Sequence, residues 1–173
     1  LEACLRTGKM MIISSGMSTW NEIQKSFDFC RQFHNEITIL QCTSKYPCPL
    51  SEVGLKNISR IRSKFNCSSG LSDHSGDLHV GMAACALGAE FLEVHICWNK
   101  LMFGPDTTSS LTIEQLHEIC SFRDKFFEMK NEKDKDSLAL ELSQTKELFG
   151  RSLVASRNLE KGEIIDESCI VYK

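Results

Sequence analysis

Two histidines stand at matching places in two short segments of this chain: His74 in GLSDHSG and His95 in FLEVHICWNK. Each follows a short apolar run of the kind that forms a buried strand. Between them lies LHVGMAACALGA, a small-residue segment of helical character. Strand, helix and strand in that order set two parallel strands side by side. An imidazole at each strand end then reaches the same place, and two neutral imidazoles are good ligands for a divalent ion. Two protein ligands leave several coordination positions open, which suits a catalytic cation rather than a closed structural site. A single strand-end histidine is more often structural; two at equivalent positions make the metal reading as good as the structural one. Asp73 and Glu93 lie close in sequence, and either could orient an imidazole from behind. Glu93 shares the side-chain parity of His95 along a strand, so it should point the same way. His34, His79 and His117 fall away from these strand ends and read as surface residues.

Hydroxyl side chains gather at three strand ends: Ser14 with Ser15, Thr43 with Ser44, and Ser72. Converging on one face, they would bind phosphate or sugar groups together with loop amides. Taken singly, each reads equally well as a cap of the helix that follows. The chain has neither a Walker motif nor GxGxxG. After the last of these strands, FGPDTTSS holds a Gly-Pro-Asp turn. Asp106 in that turn overhangs the same face, where a carboxylate could bind sugar hydroxyls or move a proton.

The elements that must position these groups follow in order. A strand over 10–14 precedes a helix over 18–33, opened by a Thr19–Glu22 capping box. A strand over 37–43 leads to a loop that Pro47 and Pro49 keep out of helix. A helix over 52–64 carries Val53, Leu55, Ile58 and Ile61 near helical spacing. A short strand ends at 70–72, a helix covers 77–87 and a strand covers 90–95. Thr112 and Gln115 form a second capping box, for a helix over 112–129. The order β-α-β-α-β-α-β-α, at roughly 30 residues per unit, predicts parallel strands with right-handed crossovers. Four such units are half of an eightfold barrel or a small open sheet. Residues 1–129 are expected to hold them. Residues 130–149, with the run KNEKDKDS, are expected to be a solvated linker, and 150–173 to open a separate small β-rich domain.

Composition narrows the classes. The 173 residues are 42% hydrophobic and 25% charged, enough for an ordinary domain with a core. A net charge of −3 gives no electrostatic case for nucleic acid or an anionic membrane surface. No apolar run is long enough to span a bilayer, and no secretory signal pattern opens the chain. Nine cysteines, irregularly spaced and without CxxC, argue against a disulfide scaffold or a structural zinc site. Several fall in apolar segments, which reads as buried thiols in a reducing cytoplasm. Leu1 is not an initiator Met, and both ends read as cut from a longer protein.

GKMMIISSGMSTWNEI, LQCTSKYPCPLSEVGL, GLSDHSG, ALGAEFLEVHI, GPDTTSSL and RSLVASRNLEKGEII occur in that order and spacing. Together they resemble the N-acetylneuraminate (sialic acid) synthase family over nearly the whole chain. The resemblance implies a (β/α)8 TIM barrel, here strands five to eight, followed by the beginning of a small antifreeze-like (SAF) domain. It implies an enzyme that condenses phosphoenolpyruvate with an N-acetylated amino sugar, typically N-acetylmannosamine. The products are N-acetylneuraminate and phosphate, and Mn2+ or Mg2+ is the cofactor. By position, His74 and His95 match the metal ligands. Ser14, Ser44 and Ser72 match residues that hold phosphoenolpyruvate, although an asparagine stands in some relatives where Ser44 is. Tyr46 and Asp106 match residues facing the sugar, and Asp106 is the candidate catalytic residue. The resemblance also implies a domain-swapped homodimer, with a glutamate and lysines supplied by the first half of the barrel. This chain lacks that half, so alone it is expected to be inactive and, with open sheet edges, aggregation-prone. Relatives that make legionaminic or pseudaminic acid from another amino sugar are an alternative. A non-catalytic carbohydrate-binding protein is another, against which the presence of both histidines and Asp106 weighs.

Overall fold

The structure is a computed structural model that describes residues 1–33, 36–131 and 133–173; His34 lies outside the described residues. It divides into two compact units, Leu1–Lys130 and Asn131–Lys173.

In the first unit helices alternate with parallel strands. α1 (Glu2–Leu5) leads to β1 (Met11–Ser14), α2 (Trp20–Arg31), β2 (Ile37–Cys42) and a 3-10 turn at Leu50–Glu52. There follow α3 (Lys56–Phe65), β3 (Ser68–Asp73), α4 (Leu78–Ala86), β4 (Phe91–Cys97), β5 (Ser110–Thr112) and α5 (Ile113–Met129). The strands stand in the order β1-β2-β3-β4-β5, each parallel to the next. Strand order follows chain order without reversal, so right-handed crossovers bring the connecting helices to one face. Both apolar clusters lie there. One gathers Phe27 and Cys30 of α2, Ile37 and Ile39 of β2, and Ile61 and Phe65 of α3, with Met11 and Ile13 against it. The other joins Ile58, Leu71, Val80 and Ala84, with Leu92 against it. Strand residues one step out of phase face the opposite way. Of these, Ile12, Ser14, Leu40, Phe91 and Glu93 border one cavity.

Local chemistry explains the boundaries. The Thr19 hydroxyl accepts from the Glu22 N–H, and the Glu22 carboxylate accepts from the Thr19 N–H at 2.8 Å. Thr112 and Gln115 exchange the same two bonds at the start of α5. Both expected capping boxes therefore form. α3 begins at Lys56 rather than at 52. The residues after Pro49 wind into their own 3-10 turn, and Gly54, with φ +73°, separates that turn from the helix. β5 is an addition that the sequence did not suggest; its three residues pair with His95, Ile96 and Cys97. At Gly70 the sheet leaves no room for a side chain. A Cβ there would lie 2.1 Å from the Phe91 carbonyl oxygen and 2.7 Å from Leu40 Cδ2. Only glycine lets β3 and β4 keep their register.

The second unit holds α6 (Lys135–Glu141) and α7 (Ser143–Phe149), then an antiparallel pair, β6 (Leu153–Ala155) and β7 (Ile170–Tyr172). Residues 130–149 thus carry two short helices where a solvated linker was expected. Asp134 caps the first, accepting from the Ser137 N–H at 2.9 Å, and the charge run gives way to helix-forming LALEL. All nine cysteines are free thiols. Cys30, Cys48 and Cys169 are buried as expected, Cys4 is exposed and the other five are half-buried. Among the described residues no helix is long and apolar enough to cross a membrane.

Candidate active site

β3 and β4 bring the two histidines together. Their register pairs Ser72 with Glu93 and Asp73 with Val94, so one further step sets 74 beside 95. The two rings meet edge-on, with centroids 5.2 Å apart. His74 is only 7% exposed, whereas a third of the His95 side chain is open to solvent. Tyr46, in the loop after β2, lies over His74 at 4.2 Å and meets His95 edge-on at 5.7 Å.

The hydrogen bonds fix the tautomer of His74. Nδ1 lies 3.1 Å from the Thr43 carbonyl oxygen. A carbonyl only accepts, so Nδ1 carries a proton, and in the neutral ring Nε2 is the acceptor. The Tyr46 hydroxyl, 3.2 Å away, donates to it. Burial raises the pKa of that hydroxyl, and nearby Cys42, Asp106 and Glu93 add to the effect, which keeps the donor proton in place. A histidine whose far nitrogen is held by a backbone carbonyl is set up to ligate a metal. His74 is held in this way, and the His95 ring beside it could share a divalent cation with it. Among the described residues no group of three His, Cys, Asp or Glu side chains is placed to hold a metal ion. The other coordination positions would fall to water and substrate oxygens.

Asp106 sits at the rim, in the turn that enters a 3-10 turn at Thr107–Ser109. Its Oδ2 is 3.7 Å from His95 Nδ1, too far for a hydrogen bond. Its backbone carbonyl accepts from the Ser110 hydroxyl at 2.7 Å and from the Ser109 N–H at 3.0 Å. β5 thereby anchors the residue. The Lys100 ammonium, which donates to the Gly76 and Ser110 carbonyls, ties the loop after β4 to the loop after β3.

The serines divide. Ser72 is buried on β3, in register with Cys42 and Glu93. Ser44 Oγ is 3.8 Å from the Cys42 sulfur, which in turn is 3.9 Å from His74 Nδ1. Gly16 leaves the room that the Ser44 hydroxyl occupies, since a Cβ there would come within 2.3 Å of it. Ser14 stands one strand further away, opposite Leu40.

Neither acidic neighbour orients an imidazole. The Asp73 oxygens accept from the Ser75 N–H at 3.0 Å and the Ser75 hydroxyl at 2.8 Å. They shape the turn after β3, while burial raises the Asp73 pKa against those bonds. Glu93 is exposed and borders the cavity beside Ser14. The group that aims His74 is the Thr43 carbonyl, which no sequence pattern marks because every residue has one. Cys42, whose sulfur also lies near His74, shares a face of β2 with Leu40, and that alternation is its mark in the sequence. His79 and His117 are exposed, as read from the sequence.

The NeuB family model matches residues 1–135. The N,N'-diacetyllegionaminic acid synthase of Campylobacter jejuni is 32% identical over the whole chain, which covers 52% of that protein. The N-acetylneuraminate-9-phosphate synthase of Homo sapiens is 30% identical, again over the whole chain and 48% of the protein. The crystal structure of an N-acetylneuraminic acid (sialic acid) synthetase from Leptospira borgpetersenii serovar Hardjo-bovis superposes with a TM-score of 0.73 at 24% identity. The match covers 86% of this chain and 53% of that one. This likeness shows the fold, α/β with a parallel sheet. The chain spans about half the length of the curated relatives it matches. The family match takes in all five parallel strands and both histidines, and the chain belongs to the NeuB family.

Proposed function

We propose that the protein is a nonulosonic acid synthase, which condenses phosphoenolpyruvate with an N-acetylated amino sugar and releases phosphate. N-acetylmannosamine is the first candidate acceptor, giving N-acetylneuraminate. The observation that carries this reading is the His74–His95 pair, with Tyr46 over it and Asp106 beside it, at the carboxyl ends of parallel strands. Family membership supports it. The reading includes a (β/α)8 barrel in which β1 to β4 are strands five to eight. A sheet wound in one direction suits a barrel rather than a doubly wound sheet. It also includes an SAF domain beginning in 150–173, a cytoplasmic location and a domain-swapped homodimer.

A divalent cation, Mn2+ or Mg2+, held by His74 and His95 would supply Lewis-acid polarisation of the sugar's aldehyde oxygen. The Thr43 carbonyl keeps the His74 ring turned for that task. Tyr46 offers a hydroxyl to the sugar. Asp106 accepts from sugar hydroxyls and carries a proton at the rim. Ser14, Ser44 and Ser72 hold phosphoenolpyruvate so that its methylene carbon faces the aldehyde carbon. A bond forms between those carbons, water adds at the enol carbon, and phosphate leaves. A legionaminic or pseudaminic acid synthase with a different acceptor is the second reading, favoured by the identity to the Campylobacter jejuni protein.

The test measures phosphate release by full-length protein given phosphoenolpyruvate, N-acetylmannosamine and Mn2+. Metal-dependent release that His74→Ala and His95→Ala each lower at least about 100-fold is the expected result. Release with another amino sugar alone moves the assignment to the second reading. No release with any acceptor, from folded protein, overturns the synthase reading and leaves the carbohydrate-binding alternative.

A further inference from the structure

Behind the imidazole of His74, at the carboxyl end of β2, lies a chain of polar contacts. Gln41 sits on the helix-covered face of β2, 7% exposed. Its amide nitrogen donates to the Val53 carbonyl at 3.1 Å and approaches the Thr43 hydroxyl at 3.5 Å. Its amide oxygen accepts from Asn57 Nδ2 at 3.1 Å. Gly54 makes the space: a Cβ there would lie 2.8 Å from the Gln41 nitrogen. The Thr43 hydroxyl donates to the Glu52 carbonyl at 2.7 Å. Thr43 is thus pinned by its side chain to the 3-10 turn, while its own carbonyl accepts from the Lys45 N–H at 2.9 Å and from His74 Nδ1 at 3.1 Å.

We infer that Thr43 is the positioning residue of His74: its hydroxyl, anchored to Glu52 beside the Gln41 amide, holds the Thr43 carbonyl so that His74 stays in the Nδ1–H tautomer with Nε2 free to bind a cation. The physical reason is that a carbonyl aimed at Nδ1 selects one tautomer, whereas a carbonyl that swings away with its loop lets the proton move to Nε2 and occupy the ligating lone pair. The anchor does this from the loop after β2, through the Thr43 backbone. The inference about cation binding rests on the synthase reading; the inference about the tautomer does not.

The test compares Thr43→Val, which keeps the shape and loses the donor, with Thr43→Ser, which keeps the donor. Two readouts are taken on full-length protein. One is the 15N spectrum of histidine-labelled, metal-free protein, with the His74 signals assigned by their loss in His74→Ala. The other is Mn2+ affinity by electron paramagnetic resonance. Thr43→Val is expected to mix the two tautomers and weaken Mn2+ binding about 10-fold. Thr43→Ser is expected to match the unmodified protein in both. Should Thr43→Val not fold, Thr43→Ala, which lacks the β-branch, is read the same way. A pure Nδ1–H signal in the donor-free variant, with Mn2+ affinity unchanged, overturns the inference. If His74→Ala leaves Mn2+ binding intact, it is the metal-site reading that fails, and the tautomer readout still decides the role of Thr43.

Discussion

The substitution Gly70→Ala tests how the sheet sets the distance between the two histidines. The added Cβ would stand 2.1 Å from the Phe91 carbonyl oxygen, whereas carbon and oxygen approach to about 3.3 Å. β4 must therefore retreat by about 1.2 Å at Phe91, its register partner. Such a shift loosens roughly two ladder hydrogen bonds at about 1 kcal/mol each. Crowding against Leu40 adds about 1 kcal/mol. The smaller entropy of the unfolded alanine chain returns about 0.7 kcal/mol. The net expectation is a loss of about 2 kcal/mol. Urea unfolding of the full-length protein reads it as a lower midpoint at unchanged slope. The same variant should bind Mn2+ more weakly, because His74 and His95 follow Gly70 and Phe91 on the separated strands. Gly81→Ala is the control. A Cβ there meets Ile119 Cδ1 at 2.8 Å, the end of a flexible side chain, and a helix gains about 1 kcal/mol from alanine over glycine. It should be neutral or stabilising. A change under about 0.5 kcal/mol for Gly70→Ala, or equal effects at the two positions, refutes the reasoning.

Burial raises the Asp73 pKa, so the folded protein keeps that proton to higher pH than the unfolded chain does. Stability then falls as pH rises from the ordinary aspartate value, about 4, through the folded pKa. Asp73→Asn, whose oxygen still accepts from the Ser75 N–H, should remove this fall; identical pH profiles of the melting temperature for the two proteins count against it. Tyr46→Phe removes the hydroxyl that donates to His74 Nε2, a bond of about 1 kcal/mol. Mn2+ binding should tighten by up to about fivefold while phosphate release falls. Binding weakened by more than about tenfold would instead give the hydroxyl a direct part in holding the cation.

Wherever a few adjacent residues suffice, local chemistry settles the outcome. Thr19 with Glu22 and Thr112 with Gln115 start their helices through bonds that span three residues. The alternation of apolar runs with amphipathic segments dictated parallel strands in chain order, because short crossovers have one favourable hand. The matching placement of His74 and His95 at successive strand ends was legible for the same reason, and so was their meeting. What lies across the strands depends on how the whole sheet packs. β5 is three residues that become a strand only beside His95–Cys97; the sequence marks only the Gly-Pro-Asp turn before it. Asp73 and Glu93 both neighbour a histidine in sequence, yet Ser75 engages the first and the open cavity takes the second. The atom that orients His74 is a backbone carbonyl 31 residues away. Side-chain identity cannot announce it, because the direction of a carbonyl is set by the loop that carries it. That loop is held by Gln41, Thr43 and Glu52, which meet only once the sheet and its helices have packed.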